Sequence, residues 1–129
     1  MSKIGFDYWQ VISHYPDSIG HIMLALLRMG DELHVISAVG KGRAGTVKKE
    51  VDAALDDRFA GTEYTVHEVV FDNPSQSPEL KLAKCQELGI TVFFDDREDV
   101  CRLLNKNGIM AMRVTRKDNS TYDLEAERK

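Results

Sequence analysis

The sequence contains little that would mark a secreted, membrane-embedded or nucleic-acid-binding protein. Its two cysteines, Cys85 and Cys101, are not spaced like metal ligands or a disulfide framework, so we expect buried thiols in a reducing compartment. No run of eighteen apolar residues occurs, and the first residues lack the apolar segment of a signal peptide. The net charge of -4 argues against a nonspecific nucleic-acid binder, which generally presents a basic face. We therefore expect a cytoplasmic protein that does not associate with membranes.

The length of 129 residues is that of a single domain. At this size, folding buries roughly two-thirds of the surface of the extended chain, which is enough for an independent core. The sequence shows no internal repeat and no linker. We expect one domain over residues 1–115, followed by a charged C-terminal tail over residues 116–129.

Apolar runs of strand length alternate with helical periods, which predicts βαβ units and a parallel sheet. The strands are predicted at residues 3–6, 33–39, 64–71, 91–94 and 109–114. The helices are predicted from Asp17 or Ser18 to a stop at Gly30, and over residues 44–59, 77–88 and 99–105. The sequence therefore predicts a three-layer Rossmann-like α/β fold with a central, mostly parallel five-stranded sheet.

Acidic residues follow two of the predicted strands. Asp7 follows the first strand, and the pair Asp95-Asp96 follows the fourth. In open parallel α/β sheets, ligands bind beyond the carboxyl ends of the strands, so we expect these carboxylates to share one crevice. Hard divalent cations such as Mg²⁺ take oxygen ligands and often bind through one or two carboxylates together with a substrate phosphate. The pattern therefore indicates a metal site, although polar caps of strand ends in a noncatalytic domain are an alternative.

Four short motifs in this order resemble those of the haloacid dehalogenase (HAD) superfamily. They are Asp7, Ser37, a lysine in the helix before the fourth strand, and Asp95-Asp96. The resemblance extends from residue 4 to about residue 114 and is most specific in residues 93–99. That segment is similar to the fourth motif of compact HAD members that act on nucleotides or on phosphorylated macromolecules.

The resemblance implies that a phosphoryl group passes to Asp7, giving an aspartyl-phosphate that water hydrolyses. It implies that Mg²⁺ bridges this carboxylate and the phosphate. The implied metal ligands are Asp7, the backbone carbonyl of Trp9, Asp95 and, through a water, Asp96. Ser37 would donate a hydrogen bond to a phosphoryl oxygen, and Lys81 or Lys84 would neutralise negative charge. We favour Lys81, because it stands near the start of its helix as in compact relatives.

The first motif departs from the pattern of HAD phosphatases. Those enzymes carry a second Asp two residues after the nucleophile, where this chain has Trp9, and a small residue follows it where this chain has Gln10. An indole cannot transfer the proton, and general acid-base catalysis contributes on the order of 10² to 10⁴ in rate. His14 is a candidate substitute because its ordinary pKa lies near neutrality, although a solvated loop histidine is the commoner case.

Two functions therefore stay open at this point. One is a Mg²⁺-dependent phosphohydrolase that acts through an aspartyl-phosphate on a nucleotide or on a phosphorylated macromolecular end. The other is a catalytically degenerate binding or regulatory module that retains the metal crevice. A receiver domain has similar length and the same aspartyl-phosphate chemistry. Its acidic pair, however, follows the first strand and its phosphate acceptor the third, the reverse of the order here.

A glycine-rich loop over residues 40–45 follows the second predicted strand and matches G-x-G-x-x-G. A dinucleotide site is disfavoured, because the match does not follow the first strand and no acidic residue closes the next strand. We favour a loop whose amides at a helix N-terminus hold a substrate phosphate, with Lys41, Gly42 and Arg43 as binding residues. A plain flexible turn is the alternative. Trp9 is expected to offer a stacking surface for a base or another ring.

The spacing of the motifs leaves no room for a cap domain, because only one helix fits between Asp7 and the second strand. A site without a lid cannot enclose a small ligand by itself. The resemblance then implies a macromolecular phosphate end, a nucleotide held partly by a partner subunit of a homo-oligomer, or no efficient turnover.

Overall fold

The computed structural model describes residues 1–56 and 59–116, and its described strands form one parallel sheet. The strands are β1 (Lys3–Phe6), β2 (Glu32–Gly40), β3 (Thr65–Phe71), β4 (Val92–Asp95) and β5 (Met110–Arg113). They lie in the order β3-β2-β1-β4-β5, and each neighbouring pair is parallel. The predicted Rossmann-like α/β fold is confirmed. Of the predicted tail, residues 117–129 lie outside the described residues.

Helices cover both faces of the sheet. They are α1 (Pro16–Arg28), α2 (Val47–Asp56), α3 (Ser77–Leu88) and α4 (Glu98–Lys106). Between Asp7 and β2 the chain holds only a short irregular turn and α1. In the part of the chain that the structure describes, no helix has the length and apolar character needed to cross a bilayer.

Two apolar cores lie on the opposite faces of the sheet. Neighbouring residues of a strand point to opposite faces, so Val35 belongs to the core under α1 and α2 while Ile36 belongs to the core under α3 and α4. The second core also contains Phe93, whose ring lies directly against the backbone of β1. A Cβ atom at Gly5 would lie 2.4 Å from a ring carbon of Phe93, so only glycine fits at this place without a shift. Close packing here fixes β1 and β4, whose ends carry the acidic residues.

Some predicted element boundaries are wrong by a few residues. The first helix begins at Pro16 rather than at Asp17 or Ser18, because proline suits the first helical turn, where its missing N–H costs nothing. The second helix begins at Val47 rather than at residue 44, because Gly45 adopts a left-handed conformation with φ +90°. The predicted stops at Gly30 and Gly89 agree with the structure, where both glycines have positive φ.

Candidate active site

The three acidic residues singled out in the sequence lie together at the carboxyl edge of the sheet. The backbone N–H of Asp7 donates to the carbonyl of Phe94 at 2.9 Å, which joins the end of β1 to the end of β4. Asp7, Asp95 and Asp96 are all buried, and one carboxylate oxygen of each lies within 4.8 Å of the others. The adjacency of two parallel strands therefore produces one acidic cluster from distant parts of the chain.

A buried lysine from α3 contacts this cluster. Lys81 Nζ lies 2.5 Å from Asp95 Oδ2 and 3.3 Å from Asp7 Oδ1, and only 2% of the residue is exposed. Lys84 lies near the surface, where it pairs with Glu87 at 2.7 Å. Of the two lysines considered from the sequence, the geometry thus favours Lys81 as the one that acts at the carboxylates.

The buried cluster carries more negative than positive charge. Burial raises the pKa of Asp7 well above its ordinary value; Lys81 opposes this shift, and Asp95 and Asp96 add to it. Burial also raises the pKa of Asp95 against the opposing effect of Lys81. Burial lowers the pKa of Lys81, but its carboxylate neighbours outweigh that effect and the net shift is upward. Lys81 contacts Asp7 and Asp95, and Asp96 lies close to both, so the three oxygen donors suit an additional hard cation.

An irregular turn, Tyr8–Ile12, follows the end of β1 and shapes the surroundings of Asp7. The carboxylate of Asp7 accepts a hydrogen bond from the N–H of Tyr8 at 2.9 Å, which orients it. Gln10 is buried and has φ +67°, the one positive φ of a non-glycine residue in the described ranges. Strained backbone of this kind clusters at functional sites, and here the strained residue directly follows Trp9.

A cavity of about 230 Å³ opens beside this turn. It is lined by Tyr8, Trp9, Ser37, Ala38, Val39, Gly40, Arg43, Val47 and Phe71. Three of the residues singled out in the sequence, Ser37, Trp9 and Arg43, therefore share one cavity wall. Trp9 is 54% exposed, so its indole is available to a ligand.

His14, the candidate substitute acid, lies beside Trp9. Its ring meets the indole edge to face, with 4.9 Å between the ring centroids. Its Nδ1 lies 2.8 Å from Ser13 Oγ, which also accepts a hydrogen bond from the N–H of Gln10. The structure thus joins His14 to the irregular turn.

The expectation that the loop over residues 40–45 offers helix N-terminal amides to a phosphate needs correction. The carboxylate of Glu68 on β3 accepts hydrogen bonds from the N–H of Gly45 at 2.6 Å and from the N–H of Val47 at 3.0 Å. The start of α2 is thus already capped by an anion.

The side chains of the same loop have partners of their own. Lys41 pairs with Asp72 at 2.6 Å, and Arg43 pairs with Glu50 at 2.9 Å. Gly42 lies in a short 3₁₀ turn, and it is not among the residues that line the cavity. Only Arg43 of the three predicted binding residues reaches the cavity.

Arg116 is part of the site although the sequence placed it in the tail. Its Nε lies 2.7 Å from Asp96 Oδ2, and the side chain is largely buried. Asp96 also accepts a hydrogen bond through its backbone carbonyl, from Arg113 Nε at 3.0 Å. Nothing in the local sequence distinguishes these arginines from the other charged residues nearby, because their partner lies elsewhere in the chain.

Comparison with known proteins shows a distant similarity to acid phosphatases. No family model matches the sequence. The chain is 27% identical over 119 residues to the class B acid phosphatase of Citrobacter rodentium, an alignment that covers 92% of this chain and 47% of that protein. It is also 27% identical over 96 residues to the class B acid phosphatase of Salmonella arizonae, covering 74% and 39%. The chain thus spans less than half the length of these curated relatives.

The fold also has a counterpart among solved structures. The crystal structure of an uncharacterised protein from Corynebacterium glutamicum superposes with a TM-score of 0.58 and covers 98% of this chain and 94% of its own. At 15% identity this likeness concerns the fold alone. Class B acid phosphatases belong to the HAD superfamily, so the two curated relatives support the HAD-like resemblance in its coarse form.

Proposed function

We propose that this chain is a Mg²⁺-dependent phosphohydrolase of the HAD type that transfers a phosphoryl group to Asp7. The observation that carries the proposal is the buried cluster of Asp7, Asp95 and Asp96 at the carboxyl edge of the sheet, in which Lys81 contacts Asp7 and Asp95. The similarity to class B acid phosphatases supports a phosphatase over other Mg²⁺-binding folds of this size.

The residues present fit a hard divalent cation. Three buried carboxylates offer oxygen atoms within 4.8 Å of one another, and oxygen is the donor that Mg²⁺ prefers. Asp7, Asp95 and the backbone carbonyl of Trp9 would hold the ion, with Asp96 contributing indirectly. When bound, the ion would offset the repulsion between the carboxylate of Asp7 and the phosphate.

The reaction takes place in two displacements at phosphorus. A carboxylate oxygen of Asp7 forms a bond to phosphorus while the bond to the leaving oxygen breaks, and that oxygen keeps the electron pair. Water then forms a new bond to phosphorus and gives up a proton to solvent, the bond to Asp7 breaks, and the products are inorganic phosphate and the free carboxylate. Lys81 holds Asp7 in place and neutralises its charge, while Ser37 donates a hydrogen bond to a phosphoryl oxygen.

Trp9 determines which leaving groups react well. Since the indole at this position cannot donate a proton, the leaving oxygen departs as an anion or takes its proton from solvent or from His14, whose ring lies beside Trp9. Esters of acidic alcohols, such as aryl phosphates, should therefore turn over much faster than alkyl phosphates.

The cavity beside the Tyr8–Ile12 turn suggests a substrate with a flat ring. Tyr8 and Trp9 provide aromatic walls, and Arg43 provides a cation within the same cavity. A nucleotide or a phosphorylated macromolecular end fits these walls. A partner subunit of a homo-oligomer could complete the open side of the cavity.

A second candidate function is a degenerate module that binds the metal and a phosphorylated ligand without turnover. The observation that favours it is Trp9 itself, which stands where phosphatases of this type carry the acid. Such a module needs the acidic cluster but no nucleophile.

The direct test is Mg²⁺-dependent phosphate release from an aryl phosphate and from a panel of nucleotides. We expect release by the unchanged protein and its loss in Asp7→Asn, with Asp31→Asn, an acidic residue outside the site, as the matched control. Release that is equal in Asp7→Asn and Asp31→Asn would contradict the proposal. Mg²⁺ binding without any release would favour the degenerate module.

A further inference from the structure

The last residue of β5 and the segment that follows it make three hydrogen bonds to the acidic pair. The N–H of Val114 donates to the carbonyl of Asp95 at 2.8 Å. Arg113 Nε donates to the carbonyl of Asp96 at 3.0 Å, and Arg116 Nε donates to Asp96 Oδ2 at 2.7 Å. Two side chains therefore hold Asp96, one through its backbone and one through its carboxylate.

Asp96 depends on these contacts because it lies beyond the end of β4 and is not fixed by strand pairing. Asp95 is the last residue of β4, whereas Asp96 lies in the bend before α4 and outside the strand ladder. The carboxylate of Asp95 is fixed by Lys81 and by the N–H of Arg97 at 3.0 Å. The contact with Arg116 fixes the carboxylate of Asp96, as Lys81 and Arg97 fix that of Asp95.

Arg116 is itself anchored to the folded domain. The hydroxyl of Tyr15, which immediately precedes α1, donates to the carbonyl of Thr115 at 2.6 Å. The side chain of Arg116 is 11% exposed and that of Asp96 is 3% exposed, so water screens this ion pair little. The guanidinium thus belongs to the wall of the site rather than to a solvated tail.

We propose that Arg116 is a positioning residue that orients the Asp96 carboxylate for metal binding. By holding Oδ2, it restricts the rotation of the carboxylate and so fixes where the other oxygen lies. Residues that orient metal-site groups in this way are typically worth roughly 10-fold to 100-fold in metal affinity or activity. The inference rests on the metal binding included in the proposed function.

The direction in which Mg²⁺ affinity changes when Arg116 is removed distinguishes an orienting role from a purely electrostatic one. Arg116 carries a positive charge, so its charge alone opposes the binding of another cation nearby. If charge were its only contribution, removing it would tighten Mg²⁺ binding. If it orients Asp96, removing it weakens Mg²⁺ binding in spite of the gain in negative charge.

The experiment measures Mg²⁺ affinity by isothermal titration calorimetry of the full chain. The variants are Arg116→Gln, Arg116→Lys and the control Arg102→Gln, which removes an exposed arginine of α4 that pairs with Glu98. We expect Arg116→Gln to weaken Mg²⁺ binding about 10-fold or more, and Arg116→Lys to recover most of the loss, because an ammonium can donate to the same oxygen. Arg102→Gln should bind as the unchanged protein does, and near-UV circular dichroism checks that each variant is folded.

Kinetics give a second readout that a purely structural role would not produce. For Arg116→Gln, we expect saturating Mg²⁺ to restore kcat. The variant should differ from the unchanged protein in the Mg²⁺ concentration that it needs to reach this kcat. Unchanged or tighter Mg²⁺ binding in Arg116→Gln would overturn the inference, as would a loss of kcat that saturating Mg²⁺ leaves in place. If the unchanged protein binds no Mg²⁺, both the inference and the metal part of the proposed function fail. Binding that Arg116→Gln leaves unaltered defeats the inference alone.

Discussion

Lys81 and Lys84 lie one turn apart on α3 and have opposite surroundings. Lys81 is buried between Asp7 and Asp95, whereas Lys84 pairs with Glu87 near the surface. Lys81 lies four residues after the buried Ser77 and four before the buried Cys85, so it belongs to the buried row of α3, and Lys84 does not. The resemblance favoured Lys81 as the lysine of the site, whereas its contacts with Asp7 and Asp95 are given by the structure.

The first prediction compares these two lysines. In EDTA, Lys81→Met removes the only described ammonium that contacts Asp7 and Asp95, and breaking a buried ion pair of this kind typically costs about 3–5 kcal/mol. Lys84→Met removes an ion pair near the surface and should lower the free energy of unfolding by less than about 1 kcal/mol. Urea denaturation of both variants checks the difference. Equal losses would show that the buried cluster does not depend on its lysine.

Two contacts between charged residues far apart in sequence were not predicted from the sequence, although the approach of Asp7 to Asp95 and Asp96 was. Arg116 reaches back 20 residues to Asp96, and Glu68 reaches back 21 residues to the start of α2. Both are charged residues whose partners become visible only after the sheet is assembled. Their type alone is equally consistent with a solvated surface.

At the scale of elements, the strands and helices were predictable because each has its own periodicity and stop signal. The glycines at positions 30 and 89 end α1 and α3 as expected, since each has a positive φ. The start of α2 was misplaced because Gly45 adopts a left-handed conformation and Glu68 on β3 accepts hydrogen bonds from the N–H groups of Gly45 and Val47. Local signals thus locate elements, whereas tertiary contacts decide some of their ends.

A pair of histidines joins β2 to β3 on the face covered by α3. His34 Nδ1 lies 2.9 Å from His67 Nε2, and His34 Nε2 lies 2.6 Å from a carboxylate oxygen of Glu32. Burial lowers the pKa of His67, and the nearby His34 and Lys84 lower it further; Glu87 opposes the shift. The folded protein therefore disfavours protonation of His67.

The second prediction concerns the pH dependence of stability. Because the pKa of His67 is lower in the folded than in the unfolded state, the unfolded state binds more protons. The contribution of His67 to stability is complete above its pKa in the unfolded state, about 6.5, and decreases as the pH falls through that value. We expect the free energy of unfolding of the unchanged protein to decrease relative to that of His67→Gln as the pH falls from about 7.5 to about 5.5, because the opposing effect of the buried Asp7 is common to both proteins. His21→Gln is the control; a slope that His67→Gln leaves unchanged would contradict this account.

At the scale of the whole molecule, the parallel sheet gathers residues from distant stretches at one edge. The end of β1 supplies Asp7, the end of β4 supplies the acidic pair, α3 supplies Lys81, and the segment after β5 supplies Arg116. The alternation of strands and helices predicted this edge, because parallel strands share one carboxyl end. It could not predict which cations would meet the carboxylates.

The third prediction links the site to global stability. A cation that binds only the folded protein stabilises it by RT ln(1 + [L]/Kd), about 2.7 kcal/mol at a hundredfold excess over Kd. We therefore expect Mg²⁺ to raise the urea midpoint relative to EDTA, and Asp95→Asn to abolish the rise. Identical midpoints with Mg²⁺ and with EDTA for the unchanged protein would show that the acidic cluster binds no such ion.

The most direct measurement of the central claim is the mass of the Asp7 peptide after acid quench of a reaction with an aryl phosphate. If Asp7 is the nucleophile, the peptide from the unchanged protein gains the mass of one phosphoryl group within the first turnover. The corresponding peptide of Asp7→Asn should gain nothing. Phosphate release without any label on Asp7, or with the label on another residue, would contradict the account.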